Sequence, residues 1–397
     1  MEKTTVIRDP VHKDVFLSEL EMSLVDTPVF QRLRRIKQLG VTNLVYPSAN
    51  HTRFEHSIGA AHIAGRIAER LELEGDCEVL RAAALLHDLG HGPLSHTSEE
   101  LLERYLNHSH EDITLKLIKE GEIGDMLSRS TFSADEVVSV LSKKSGLSGL
   151  ISGDVDVDRM DYLARDAYHT GVAYGVIDVD RLVNTLDFVD NQLVVTTRGL
   201  RAVEGLLVAR FLMTPTVYLH RTSRIVDAMF LRATEKAIES GLLKLDRLYK
   251  MDDVDVHCLY RCAMGYVKDM GRRIDERRLF KTAWHQGADE MSEGLNTAFH
   301  RVMADVKRWN KIELELAEDA GVEPGYVILD IPPRPKYEEK NALVFDGEKI
   351  ERLDTVSPLV KILQKTQKAQ WSVGVYTPSE HLEKVAPVCE GIESYLL

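Results

Sequence analysis

Through most of the first 320 positions apolar residues recur three and four apart, the period of an amphipathic helix. "HSIGAAHIAGRIAERLEL" and "CEVLRAAALLHDLG" each predict a helix on this pattern, with glycine near the ends. "SLVDTPVFQRLRRIKQLG" predicts another, with Gly40 placed to cap it. Strand-like pieces stand at "TVIRD" and across "FVDNQLVVT", where Asp190-Asn191 predicts a hairpin turn. Near residue 323 the pattern shifts. "GYVILDIPPRPKYEEKNALVFDGEKIERL" holds two β-rich runs around a proline-rich connection; a helix from about Pro358, the strand "WSVGVYT" and a helix from about Ser379 follow. The expectation is a mainly α protein with a helical core over residues 1–322 and a small α/β lobe over 323–397. No internal repeat, low-complexity segment or flexible linker interrupts it.

Composition narrows the class of partner. The chain has 397 residues, 44% hydrophobic and 28% charged, within the globular range. No stretch nears the eighteen or so uncharged apolar residues of a membrane span, and the N-terminus lacks the apolar core of a signal peptide, so a cytoplasmic protein without a membrane partner is expected. Cys258 and Cys262 share a helical face, but nothing nearby completes a zinc set, and the four cysteines read as buried thiols. A net charge of -13 disfavours nucleic acid, which needs a broad basic surface. An anionic ligand would need a local arginine cluster, which points to a small phosphorylated molecule.

The histidines carry the chemistry. Eight of fifteen lie between residues 51 and 110. His87 and Asp88 are adjacent where an apolar helix ends, and helical neighbours diverge by about 100°, so both reach one ion only beside the terminus. The break from Gly90 to Pro93 leaves room for it, and His56 in "HTRFEHS" begins the preceding helix. Imidazole and carboxylate without thiolate suit a divalent metal (Mn, Mg, Fe, Ni or Zn) in an open catalytic site. A further ligand among Asp154, Asp156, Asp158 and Asp161 fits on charge, and the residues themselves do not choose among them.

His56, then His87-Asp88, then "DVDRMDYLARD" resemble the His…His-Asp…Asp signature of the HD phosphohydrolase superfamily. Within it, "HTRFEHS", "LLHDLGHGPLSH", "SHED" and "DVDRMDYLARDAYHTG" are similar to the deoxynucleoside triphosphate triphosphohydrolases, vertebrate and prokaryotic, over nearly the whole chain from Val6. No SAM-like module is expected. The resemblance implies an HD-domain helical bundle and makes Asp158 the fourth metal ligand. It implies a dNTP substrate hydrolysed to deoxynucleoside and inorganic triphosphate.

It also assigns roles. His91, His96 and His110 fall in the catalytic pocket, with His96 the acid for the 5′ leaving oxygen and the others orienting the α-phosphate and the nucleophile. Glu99 stands where the vertebrate enzymes have aspartate, so a His–carboxylate pairing is kept on a longer arm. Arg53, Arg159 and Arg210 match phosphate-holding positions. Gln38 and Asp166 would bond the 3′-hydroxyl, Tyr162 would exclude a 2′-hydroxyl, and Tyr218 matches another pocket tyrosine. Asp26, Gln31 and Arg34 match a segment that reads an activating nucleotide, GTP or a dNTP, between subunits of a homo-oligomer (dimer or tetramer). Arg181, Arg198 and Arg277 match basic residues around the activator's phosphates, whereas Thr5 replaces a family lysine there. Two rival readings remain: an HD phosphohydrolase for another nucleotide or phosphate ester, and a nucleotide-sensing binding protein.

Overall fold

The computed structural model describes residues 4–333 and 342–396, and it is mainly α-helical. Nine short strands occur among the described residues: β1 (Thr5–Asp9), β2 (Lys13–Leu17), β3 (Leu186–Val189), β4 (Gln192–Thr196), β5 (Lys281–Gly287), β6 (Ile328–Asp330), β7 (Leu343–Phe345), β8 (Ile350–Arg352) and β9 (Ser372–Thr377). Contacts divide the chain into two compact units. The first comprises the described residues of Met1–Val217, Asp246–Val256 and Tyr337–Leu363; the second those of Tyr218–Leu245, His257–Lys336 and Gln364–Leu397.

The first unit opens with the antiparallel β1–β2 hairpin. Asp9 Oδ1 accepts the backbone N–H groups of Val11 and His12, both at 2.8 Å, and so ties its turn. The single helix expected across residues 23–40 is interrupted. Glu19–Val25 ends at Asp26, Thr27 caps a short helix Pro28–Gln31, and Arg32–Arg35 form a 3-10 turn. Pro28 lacks the N–H needed to continue a preceding helix and is suited to the first position of a new one. Gly40 therefore caps no helix; it takes a left-handed φ of 51° where an added Cβ would lie 3.3 Å from the carbonyl of Leu94.

Three helices make the centre of this unit. Arg53–Arg70 starts on a Thr52–Glu55 capping box, and Cys77–Leu86 packs along it through buried Ile58, Ile63, Ile67, Leu80, Ala83 and Leu85. Each buried Ile or Leu contributes about 1.5–3 kcal/mol. Val157–Thr170 crosses the first helix so closely that a Cβ on Gly59 would stand 1.9 Å from Asp161 Oδ1. The hairpin expected at "FVDNQLVVT" is β3–β4, with Asp190 and Asn191 at φ 51° and 59°, the left-handed pair of a type I′ turn.

The two β-rich runs after residue 323 do not pair with each other. The second folds as the antiparallel β7–β8 hairpin, and β7 runs parallel beside β4, giving the order β3-β4-β7-β8 in the first unit. The first run supplies β6 to a separate antiparallel sheet, β5-β9-β6, in the second unit. The boundary drawn at residue 323 thus differs from the division into units. The α/β part reaches back to β5, and residues beyond 341 return to complete the first unit, because the edge of β4 needs partners for its N–H and C=O groups. The proline-rich connection runs into residues outside those described. In the second unit the helices Glu293–Ala304, Val306–Asp319 and Leu382–Cys389 cover the sheet, enclosing Phe299, Trp309, Ile312, Trp371, Val375 and Val385. Among the described residues no single helix is long and apolar enough to cross a membrane.

A chain stopped after Val322 is expected to lose β7–β8 from the first unit as well as β6, β9 and the helix Leu382–Cys389 from the second. It should melt well below the full chain or aggregate; a fragment with an unchanged, cooperative melt would contradict this interleaved arrangement.

Candidate active site

His56 lies in the first turn of Arg53–Arg70, His87 caps the end of Cys77–Leu86, Asp88 follows it, and Asp158 is the second residue of Val157–Thr170. Three helix ends therefore meet. His56 Nε2 is 3.3 Å from His87 Nε2, 3.0 Å from Asp158 Oδ1 and 3.7 Å from Asp88 Oδ2; His87 Nε2 is 3.3 Å from Asp88 Oδ1. The other ring nitrogens are committed: His56 Nδ1 donates to Asp161 Oδ2 at 2.7 Å, and His87 Nδ1 to the carbonyl of Ala84 at 2.7 Å. In the neutral rings both lone pairs thus converge with Asp88, three groups that could hold a divalent metal, and Asp158 Oδ1 stands at 3.0 Å from His56 Nε2. Burial disfavours protonation of His56, but bonds to Asp158 and Asp161 outweigh it and push this imidazole up to about 10. Burial likewise opposes ionisation of Asp158, and its bonds to His56 and His87 hold it below the usual carboxylate range.

The four aspartates left open by the sequence take separate roles. Asp158 alone joins the two histidines. Asp161 stands behind His56, Asp156 caps its helix on the N–H of Arg159 at 2.7 Å, and Asp154 accepts the N–H of Ala342 at 2.6 Å.

Beside this cluster lies a group of histidines. His91 Nε2 is 3.4 Å from Asp88 Oδ1, and its ring stacks on that of His110 with centroids 3.9 Å apart. Glu99 bonds both His110 and His96, the latter at 3.1 Å. Burial would depress His110, but Glu99 raises it, whereas burial and the neighbouring Arg53 hold His91 well below its ordinary value. Burial opposes ionisation of Glu99, yet the two histidine bonds keep it far below the carboxylate range. The two stacked imidazoles are thus shifted in opposite directions, and His91 Nδ1 is buried with no partner. The His96 side chain is 74% exposed.

The loop between these groups is strained. Leu94 and Ser95 have φ 55° and 52°, positions that cost non-glycine residues about 1–3 kcal/mol each. Asp253 accepts the N–H of Leu94 at 2.7 Å, Ser95 Oγ donates to Lys37 O at 2.8 Å, and Arg53 Nε donates to Ser95 Oγ at 2.8 Å. Buried Arg32 donates to the carbonyls of Leu89, His91 and Met251 at 2.7, 2.8 and 2.9 Å.

The remaining expected residues divide. Arg53 is engaged with Asp88 at 2.6 Å and reaches His96 Nε2 at 3.4 Å. Burial raises Tyr162 to about 12 against the opposing charges of Arg210 and Arg159, which places those arginines around it. His51 joins Gln38 to Asp166: its carbonyl accepts the Gln38 N–H at 3.0 Å, and its Nε2 bonds Asp166 Oδ1 at 2.7 Å. Gln38 Oε1 is buried without a partner. Tyr218 begins the second unit. Gln31 bonds Arg34, whose guanidinium lies 3.5 Å over the Phe54 ring, beside a cleft of about 380 Å³ lined by Ile7, Asp9, Arg34, Phe54 and Ile58. Asp26 is exposed near that segment but does not line the cleft. Arg181 donates to the carbonyl of Arg198 at 2.8 Å, apart from the cleft lining, and exposed Arg277 belongs to the second unit.

Sequence reasoning missed His12, Arg32, His51, Arg165 and Asp253 and gave Asp161 no role of its own. Only Asp161 and Arg165 left a signal, an i,i+4 acid–base pair on a helix otherwise read for its ligands.

Residues 53–166 match the model of the HD domain, and residues 177–392 that of the HD associated region. The chain belongs to the HD-domain phosphohydrolases. This HD phosphohydrolase is 40% identical over 384 residues to an uncharacterised protein of Methanocaldococcus jannaschii, covering 96% of this chain and 80% of that one. Human deoxynucleoside triphosphate triphosphohydrolase SAMHD1 is 32% identical over 342 residues, 70% of this chain but 54% of that enzyme. The crystal structure of a hypothetical protein from Aquifex aeolicus superposes with a TM-score of 0.78 at 33% identity, covering 97% of this chain and all (100%) of that one. A phosphohydrolase from Bacteroides thetaiotaomicron gives 0.75 at 25% identity, covering 94% and 100%. The family is metal-dependent, in keeping with the convergent His–Asp cluster.

His87→Ala is expected to abolish Mn(II) binding and turnover together. Because His56 holds a proton that the ion must displace, Mn(II) affinity of the unaltered protein should rise with pH through neutrality and level off near pH 10, which calorimetry at several pH values would read.

Proposed function

We propose that the protein hydrolyses dNTPs to deoxynucleoside and inorganic triphosphate. The observation that carries this reading is the proton-handling set His91, His110, Glu99 and His96 placed directly beside Asp88 of the metal cluster. A bound divalent metal supplies Lewis acidity towards phosphoryl oxygen and lowers the pKa of water. Attack of water on the α-phosphorus breaks the bond to the 5′-oxygen, and that oxygen must receive a proton as the triphosphate departs. His96, exposed and tied through Nδ1 to Glu99, would make that transfer from Nε2, which Arg53 Nη2 approaches to 3.4 Å and must yield to the substrate. His110, shifted up by Glu99, and His91, shifted down by burial and Arg53, hold the α-phosphate and the attacking water.

Arg53, Arg159 and Arg210 bring cationic charge for about four negative charges of a triphosphate. Tyr162 closes the place of a 2′-hydroxyl, and the His51-linked pair Gln38 and Asp166 presents acceptors for a 3′-hydroxyl. Steric exclusion of a 2′-hydroxyl and the desolvation that goes with it discriminate ribose from deoxyribose. An activating GTP or dNTP would occupy the cleft beside Arg34; Gln31, Asp26, Arg181, Arg198 and Arg277 do not line that cleft and would take part from a second subunit of a homo-oligomer. The relatives named as deoxynucleoside triphosphate triphosphohydrolases support the choice of a dNTP as substrate.

The test is product analysis with Mn(II) or Mg(II), each dNTP being supplied alone, then with GTP, and GTP alone serving as the ribose control. Deoxynucleoside with intact triphosphate is expected. Orthophosphate, pyrophosphate or a monophosphate would transfer the site to another phosphohydrolase reaction, and no product at all would favour a binding protein. Glu99→Gln removes the charge that raises His110. Activity that needs protonated His110 falls as pH rises through its pKa, so the variant's pH–rate profile should fall off at lower pH than that of the unaltered enzyme.

A further inference from the structure

The ligand His56 is held from behind, and its holder is itself held by the amino-terminal hairpin. Asp161 is fully buried. Its Oδ2 accepts His56 Nδ1 at 2.7 Å and Arg165 Nε at 2.9 Å; its Oδ1 accepts Arg165 Nη2 at 2.9 Å and His12 Nε2 at 2.6 Å. Arg165 Nη1 continues to Asp9 Oδ2 at 2.8 Å, and the other oxygen of Asp9 ties the turn that carries His12. We propose that the β1–β2 turn is a positioning element for the metal, His12 and Asp9 fixing the plane of Asp161 and, through it, the direction of the His56 lone pair.

The carboxylate of Asp161 has about four acceptor sites, and four donors fill them. Without His12, Oδ1 would keep a single donor in a dry interior, and the carboxylate could turn about its Cβ–Cγ bond, carrying the His56 ring with it. The hairpin has few apolar anchors. Val15 and Leu17 are buried, but Val6 and Phe16 are half exposed, so the polar contacts of Asp9 and His12 are a large part of what docks the turn. Coupling of this kind is reciprocal: a turn that sharpens the metal site is in turn steadied by the metal. Neither His12 nor Asp9 approaches the ligand atoms themselves. The proposal rests on His56, His87, Asp88 and Asp158 holding the ion and is independent of the substrate.

The experiment uses the full chain with Mn(II) alone as probe and three variants. His12→Phe keeps a ring beside His62, whose centroid is 5.2 Å away, and removes the donor. His12→Gln restores an N–H near the position of Nε2. The Mn(II) dissociation constant should rise about 10–100-fold in His12→Phe, as for other residues that orient a metal ligand, with most of that recovered in His12→Gln. In the unaltered protein, Mn(II) should slow amide hydrogen exchange at Val11 and His12. A folded His12→Phe that binds Mn(II) like the unaltered protein overturns the proposal, as do equal losses in the Phe and Gln variants, which would mark a merely structural side chain. Should His12→Phe not fold, the exchange measurement decides: protection that rises with Mn(II) supports the coupling, and no change overturns it. The third variant, His87→Ala, which must lose the ion, separates the two levels: unchanged Mn(II) binding there removes the metal assignment itself.

Discussion

A carboxylate without access to water is the constraint from which the site follows. Asp161 would cost several kcal/mol to bury as an ion unless its charge were matched and its lone pairs filled. Arg165 matches the charge in a two-point grip, and the two histidines complete the bonds. With every acceptor occupied, the group has one orientation, which fixes Nδ1 of His56 as a donor and leaves Nε2 for the ion. The close approach of the helices depends on the same residue pair, since only glycine at position 59 leaves space for Asp161 and Arg165. The other ligands have holders of their own: the Ala84 carbonyl for His87, Arg53 for Asp88.

The loop from Gly90 to Ser95 is held against its own preferences. Left-handed Leu94 and Ser95 turn the chain so that His91 stays against Asp88 while His96 emerges towards solvent. The strain is offset by Asp253, Lys37 and Arg53 around the two residues and by Arg32 beneath the carbonyls of Leu89 and His91. Arg32 sits one residue from Gln31 and two from Arg34, so the segment beside the Phe54 cleft and the loop beside the metal share one piece of backbone.

How much of this could be read from the sequence depends on the range of the information. His56, His87 and Asp88 declared themselves through local spacing at helix ends, and the β3–β4 turn through the dipeptide Asp190-Asn191. Setting Asp158 apart from the other three aspartates needed either a relative's signature or the folded arrangement, because all four stand around one helix start and differ only in what faces them. His12, His51 and Asp253 had no local signal: each acts across a separation of more than a hundred residues (149, 115 and 159) to Asp161, Asp166 and Leu94. The helix expected across residues 23–40 was misjudged for the opposite reason, the apolar period outweighing Thr27-Pro28, a local stop that was in plain view. The pairing of β7 with β4 was invisible, since nothing in either strand names its partner.

That last pairing has a consequence for biosynthesis. On the ribosome β3 and β4 emerge together and can form their hairpin at once, but β7 follows only after roughly 150 further residues, a wait of about ten to thirty seconds at ordinary elongation rates. During that interval Val195 and Thr196 present an open strand edge, an invitation to pair with other chains. The first unit is therefore finished late although its chemistry is encoded early, and the nascent protein passes through a stage in which the His–Asp cluster is fully translated while the β3-β4 sheet still lacks two of its strands.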